Sequence, residues 1–196
     1  MTENAAVGGY GRVRWRRFAL ILMPALAAVI ILVVLTAQSV LAVSFAISGV
    51  PFTVTASQLN GQGFEQFGVL DHSVTRGNFF LASSAIRTAT LSHLCLSVNL
   101  GLAILKITAG DGGSDVSGSD LVIDADRLSG NASFTKINIG QDASTLTQVP
   151  GVKGPAGAFA LDSQTVAISN LRTHAYATTA GTFTLPGLSL RFGSPC

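Results

Sequence analysis

Leu94-Cys-Leu-Ser-Val-Asn-Leu-Gly-Leu-Ala-Ile104 carries an aliphatic side chain at every second position from its first residue to its last. A helix would scatter Leu94, Leu96, Val98, Leu100, Leu102 and Ile104 around its circumference, whereas a strand places all six on one face. The stretch therefore predicts one long strand with a buried side. The same period of two recurs in both directions along the chain. Phe45 and Ile47, then Phe52, Val54 and Ala56, alternate with small polar residues. Further strands are predicted at 79–82, 86–91, 121–125, 132–139, 165–169, 173–178, 182–185 and 188–192. Glycine and asparagine at Asn60-Gly61, Gly110 to Gly113, Gly130-Asn131 and Pro186-Gly187 read as the turns between them. With no amphipathic helix after residue 42, the expectation is all-β: a single antiparallel domain forming a curved sheet, a sandwich or a groove.

Two segments look alike. Phe52-Thr-Val-Thr-Ala-Ser-Gln-Leu-Asn-Gly61 and Leu121-Val-Ile-Asp-Ala-Asp-Arg-Leu-Ser-Gly130 each alternate, reach Leu-x-Gly, and continue into a stretch carrying Phe64 or Phe134. They read either as two copies of a strand–turn–strand unit or as two ordinary hairpins of similar composition. A third segment, 165–171, lacks the glycine. The spacing is too long for a short-period solenoid, so a meandering antiparallel sheet is preferred.

The beginning of the chain has a different character. Arg12, Arg14, Arg16 and Arg17 stand before an unbroken apolar run from Phe18 to Leu35, and Val40-Leu41-Ala42 follows. A basic flank stays cytoplasmic while the apolar segment enters the bilayer, which makes residues 1–17 cytoplasmic and 43–196 exported. The 18 apolar residues fall between a signal core of about 7–15 and the roughly 20 that span a bilayer. Residues 18–42 thus read as a signal peptide cleaved before Val43 or as a retained transmembrane helix. The corresponding locations are secretion, or a cell-membrane protein with an extracytoplasmic C-terminal domain.

Export leaves 154 residues, enough for one domain with its own core. Eight basic residues then face nine acidic ones, so the formal charge of +2 for the whole chain comes from the leader. No basic stripe remains for nucleic acid. Charge is sparse, which favours self-association or contact with an apolar ligand. Both cysteines, Cys95 and Cys196, are in the exported part, where one intramolecular disulfide is the most economical outcome; an intermolecular bond or free thiols are the alternatives.

Signals for catalysis are weak. The Gly-x-Ser-x-Gly elbow of common esterases is missing from the sequence. Ser133-Phe-Thr-Lys136 has the Ser-x-x-Lys spacing but falls in a predicted strand rather than on the helix that chemistry needs. His72, His93 and His174 have no catalytic setting. The loop from Asp111 to Asp120, followed by Asp124 and Asp126, suggests a hard cation: Asp120, Asp124 and Asp126 would share one strand face about 7 Å apart or a multiple of that, and calcium would relieve their repulsion. Solvated acids beside a flexible loop are the plainer reading. Leu94, Leu96, Val98, Leu100 and Leu102 are the candidates for facing a ligand, because a curved sheet with an apolar concave side can hold lipid or polyprenyl chains. The expected function is accordingly a non-enzymatic cell-envelope or secreted protein that binds lipid or another apolar ligand. A structural envelope protein with a filled core is the alternative, and an esterase-type hydrolase is the weakest reading. Expected partners are the membrane, through the N-terminal helix, and a lipid or another envelope protein.

The order of features also resembles a family of exported proteins of Streptomyces and related actinobacteria, a domain of unknown function. The residues carrying the resemblance are Trp15-Arg-Arg-Phe18, Phe45-x-x-Ser-Gly49 with Phe52, Gly61-x-Gly-Phe64, the stretch 90–95, Leu121–Leu128 with Phe134-Thr-x-Ile137, the stretch 175–183 and the terminal cysteine. Some members of that family carry the label cholesterol esterase, which none of these residues supports.

Overall fold

A computed structural model describes residues 15, 18, 22–26, 49–73 and 77–196. The chain divides into two compact units, Met1–Ser44 and Phe45–Cys196. In the first, residues 22–26 are helical and the rings of Trp15 and Phe18 meet edge to face. Most of the leader expected at 1–17 and 18–42 lies outside the described residues, as do Phe45 and Ile47. Among the described residues no helix is long and apolar enough to cross a membrane.

The second unit is all-β and antiparallel. Four strands are long: β1 (Phe52–Ser73), β2 (Gly77–Ser92), β5 (Val116–Thr135) and β7 (Phe159–Thr179). They pair β1 to β2, β2 to β5 and β5 to β7, and Leu171–Ala175 of β7 returns to Phe52–Ala56 of β1, closing a ring. Closure removes the unpaired edges that an open sheet would leave at those positions. The shorter β3 (Leu94–Asn99), β4 (Ile104–Ala109) and β9 (Ser189–Phe192) extend the sheet sideways from the start of β1, while β6 (Asn138–Asp142) and β8 (Thr182–Thr184) pair with β7 and β5. Several strands predicted separately are therefore single elements; 79–82 and 86–91, for example, both belong to β2.

Within β1 and β5 the misleading residue is glycine. Asn60-Gly61 and Gly130-Asn131 were expected as turns, yet both lie within continuous strands. A Cβ on Gly61 would stand 2.7 Å from Ile86 Cγ2 and 2.9 Å from Val166 Cγ1; one on Gly130 would stand 2.6 Å from Ile168 Cγ2. Here glycine permits close approach of a β-branched side chain from the strand above, a second use of the residue that sequence cannot separate from a turn. The two similar segments are long bent strands rather than strand–turn–strand units, and their phenylalanines meet: the rings of Phe64 and Phe134 are 5.6 Å apart.

A second correction concerns the run from Leu94 to Ile104. It is a hairpin, β3 and β4, and not one strand. Asn99 Oδ1 accepts the amide of Gly101, whose φ is +90°, and Leu100 N–H donates to Ala103 O. The turn reverses the alternation, so Leu105 and Ile107, rather than Ile104, share the face of Val98 and Leu96.

The main core joins Leu59, Phe64, Ile86, Leu121, Val166 and Ile168 with their buried neighbours. A smaller cluster forms where the segment 143–158 folds over β1, placing Ala143 and Leu146 on Phe67. Glu65 fixes that segment. Its carboxylate is completely buried, Oε1 accepts the amide of Val149 at 2.9 Å, and Oε2 has no partner among the described residues. Burial raises its pKa against the opposing amide bonds from Val149 and Gln148; burial likewise raises Asp71 and Asp124. A carboxyl whose folded pKa exceeds its unfolded value binds more protons in the native state, so its contribution is full below the unfolded pKa and is lost as pH rises through the folded one. The exposed Asp142 is shifted the other way by bonds from Ser144 and Gly157. The melting temperature is therefore expected to fall as pH rises from the ordinary glutamate value of 4.5, and Glu65→Gln should flatten that dependence. An unchanged slope in the variant, read by thermal melts across pH, would contradict the assignment.

Candidate functional site

The apolar residues of the lateral sheet fall into two ranks. Register places Val54, Leu96, Ile107 and Leu190 side by side across β1, β3, β4 and β9, and Phe52, Val98, Leu105 and Phe192 in the next rank. Directly opposed residues of antiparallel strands project to one face, so the ranks form a continuous apolar surface. The other face is polar, carrying Thr53, Ser97, Lys106 and Arg191. Exposure increases outward: Val54 is 8 % exposed and belongs to the core, whereas Leu190 and Phe192 at the edge are 61 % and 65 % exposed. Beside this surface an open cleft of about 400 Å³ is lined by Val50, Phe52, Leu96, Val98, Leu100 and Tyr176.

Of the five residues expected to face a ligand, Leu96, Val98 and Leu100 line this cleft. Leu94 is buried in the core, and Leu102 projects fully into solvent from the β3–β4 turn. Sequence reasoning missed Ile107, Leu105, Leu190 and Phe192 as members of the same face. Their alternation is visible, but the pairing of β4 with β9 spans some eighty residues and leaves no local signal.

The disulfide is formed between Cys95 and Cys196, 101 residues apart. It lies on the polar side of β3. There the amide of Cys196 donates to Ser97 Oγ and the Cys196 carbonyl accepts from Arg172 Nη1. These contacts anchor the chain end just after β9, whose four residues would otherwise be held by pairing to β4 alone.

The three aspartates proposed for calcium are separated. Asp120 adopts a φ of +49° and leans on Gly181; Asp124 takes a hydrogen bond from Ser83; Asp126 sits where the β5–β7 register slips and accepts from His174. Left-handed backbone at Asp120 and the bulge around Asp126 destroy the strict alternation on which a shared face depended. Among the described residues no group of three His, Cys, Asp or Glu side chains is arranged to hold a metal ion.

Sequence reasoning also missed the setting of His174. Its Nδ1 is 2.7 Å from Asp126 Oδ1, and the Tyr176 hydroxyl donates to Asp126 Oδ2 at 3.4 Å. An acid holding an imidazole is half of a hydrolytic triad, but no hydroxyl among the described residues is bonded to the other ring nitrogen. Ser57 and His93 touch at 3.0 Å, yet Ser57 also donates to Ser92 O. A hydroxyl has one proton, so His93 then donates to Ser57 and is not poised as its base. His72 pairs with Asn78.

A closed antiparallel β domain with one lateral apolar face is the class that this architecture defines. Residues 48–196 match the model of a family of unknown function, DUF6230, and the chain belongs to that family. No curated protein and no solved structure matches it.

Proposed function

We propose that the chain is an exported cell-envelope protein, retained by residues 18–42 or released before Val43, whose β domain takes up the hydrocarbon chain of a lipid on the face of β1, β3, β4 and β9. The observation that carries this reading is the pair of apolar ranks, open to solvent at their outer ends Leu190 and Phe192, beside a cleft of about 400 Å³. Clefts of several hundred Å³ suit small ligands, and large contiguous apolar patches on a folded surface mark interaction sites. Val50 on the cleft rim follows Ala42 by eight residues, so membrane lipid is the apolar partner closest along the chain.

The structural alternative draws support from the ring itself, where the enclosed space among Val54, Leu59, Ile86 and Leu121 is only about 50 Å³. We assign the ring to scaffolding and the lateral sheet to binding. The reading is non-enzymatic; turnover of ester substrates abolished by a single serine substitution would overturn it.

Lipid extracted from protein purified out of its native host is expected to contain an acyl or polyprenyl species in near-stoichiometric amount by mass spectrometry. Protein free of such lipid would contradict the reading. A reporter fused after Cys196 should be active outside the cytoplasm and silent inside it; the reverse would exclude export.

A further inference from the structure

A second cleft, of about 550 Å³, opens elsewhere on the domain and contains no charged side chain in its lining. Its floor is a regular array. Register aligns Gln62, Thr88, Ser119 and Thr182 across β1, β2, β5 and β8, and Asn60, Thr90 and Ser117 in the adjoining rank. Each is a hydroxyl or a carboxamide, and strand spacing sets neighbours about 5 Å apart within a rank and the ranks about 7 Å apart. Between them Gly61, Ala89 and Gly118 turn their small or missing side chains inward and are buried. The wall opposite is Thr165–Ala167 of β7. Ser119 Oγ and Thr182 Oγ1 are already hydrogen-bonded to each other at 2.9 Å, and Gly181 N–H donates to Ser119 O, which fixes that end of the array.

We infer that this cleft binds a neutral oligosaccharide. Every polar side chain on its floor both donates and accepts, so the best partner is one whose groups do the same at similar spacing, which is the property of sugar hydroxyls. The lining offers no charged side chain to select an ionic ligand, and a hydrocarbon chain would desolvate the array without replacing its hydrogen bonds. The site is distinct from the apolar face and does not depend on its occupant.

The full chain in detergent, applied to an array of neutral and acidic glycans and titrated with cellohexaose, maltohexaose and chitohexaose, should bind neutral glycans only. Thr88→Val/Thr90→Val keeps branched strand-forming side chains and removes two hydroxyls, and is expected to weaken binding about tenfold or more with an unchanged melting temperature. Should that pair fail to fold, Ser117→Ala/Thr182→Val takes its place. Absence of binding to every neutral glycan, binding confined to acidic glycans, or undiminished affinity in the folded variant would overturn the inference. Vesicle binding by the apolar face should be unaffected by either variant.

Discussion

Cys196→Ser is expected to lower the stability of the β domain by about 4–5 kcal/mol at most, the chain-entropy value for a closed loop of roughly 100 residues. The bond between Cys95 and Cys196 is the covalent tie for a C-terminal segment whose last strand is four residues long. Its loss leaves Leu190 and Phe192 held in the two apolar ranks by pairing to β4 alone. Denaturant unfolding of residues 43–196 checks this, and a loss below about 1 kcal/mol would show that the chain end is held by other means.

Placing aspartate on the apolar face, on β3 or on the outermost strand β9, should give effects that diminish outward. Leu96→Asp puts a charge against the core that includes Val54 and Leu94, and an unpaired buried charge costs several kcal/mol, enough to unfold a marginal domain. Phe192→Asp, at a site 65 % exposed, should leave the fold intact. Circular dichroism and thermal melts of the two variants separate these outcomes. Equal destabilisation would mean that the face at Phe192 is covered in the folded protein.

The period of two was enough to read the fold class, and the presence of two cysteines in the β domain was enough to suggest the disulfide. Connectivity was harder. Asn99-x-Gly101 is a turn, whereas Asn60-Gly61 is not, and the difference lies in what stands over the glycine: open space at Gly101, Ile86 and Val166 at Gly61. Such contacts come from residues 25 to 105 positions away and have no local trace. Among the described residues the three aspartates do not form a metal-holding group, for a related reason. Alternation along 120–126 is interrupted by backbone irregularities that depend on pairing with β7 and β8, so acids that align in sequence diverge in space. The Asp126–His174 contact spans 48 residues and was equally invisible. The apolar face was legible where it lies on a single strand, at Leu96 and Val98, and was missed where it is completed by β4 and β9.

Flotation of residues 43–196 with neutral phosphatidylcholine vesicles, compared with Leu190→Asp/Phe192→Asp of verified fold, is the most direct test of the lipid-binding face. The wild-type domain should rise with the vesicles and the double variant should remain in the aqueous fraction. A wild-type domain that stays behind, or a folded double variant that floats equally well, would contradict the assignment of the β1–β3–β4–β9 face to lipid.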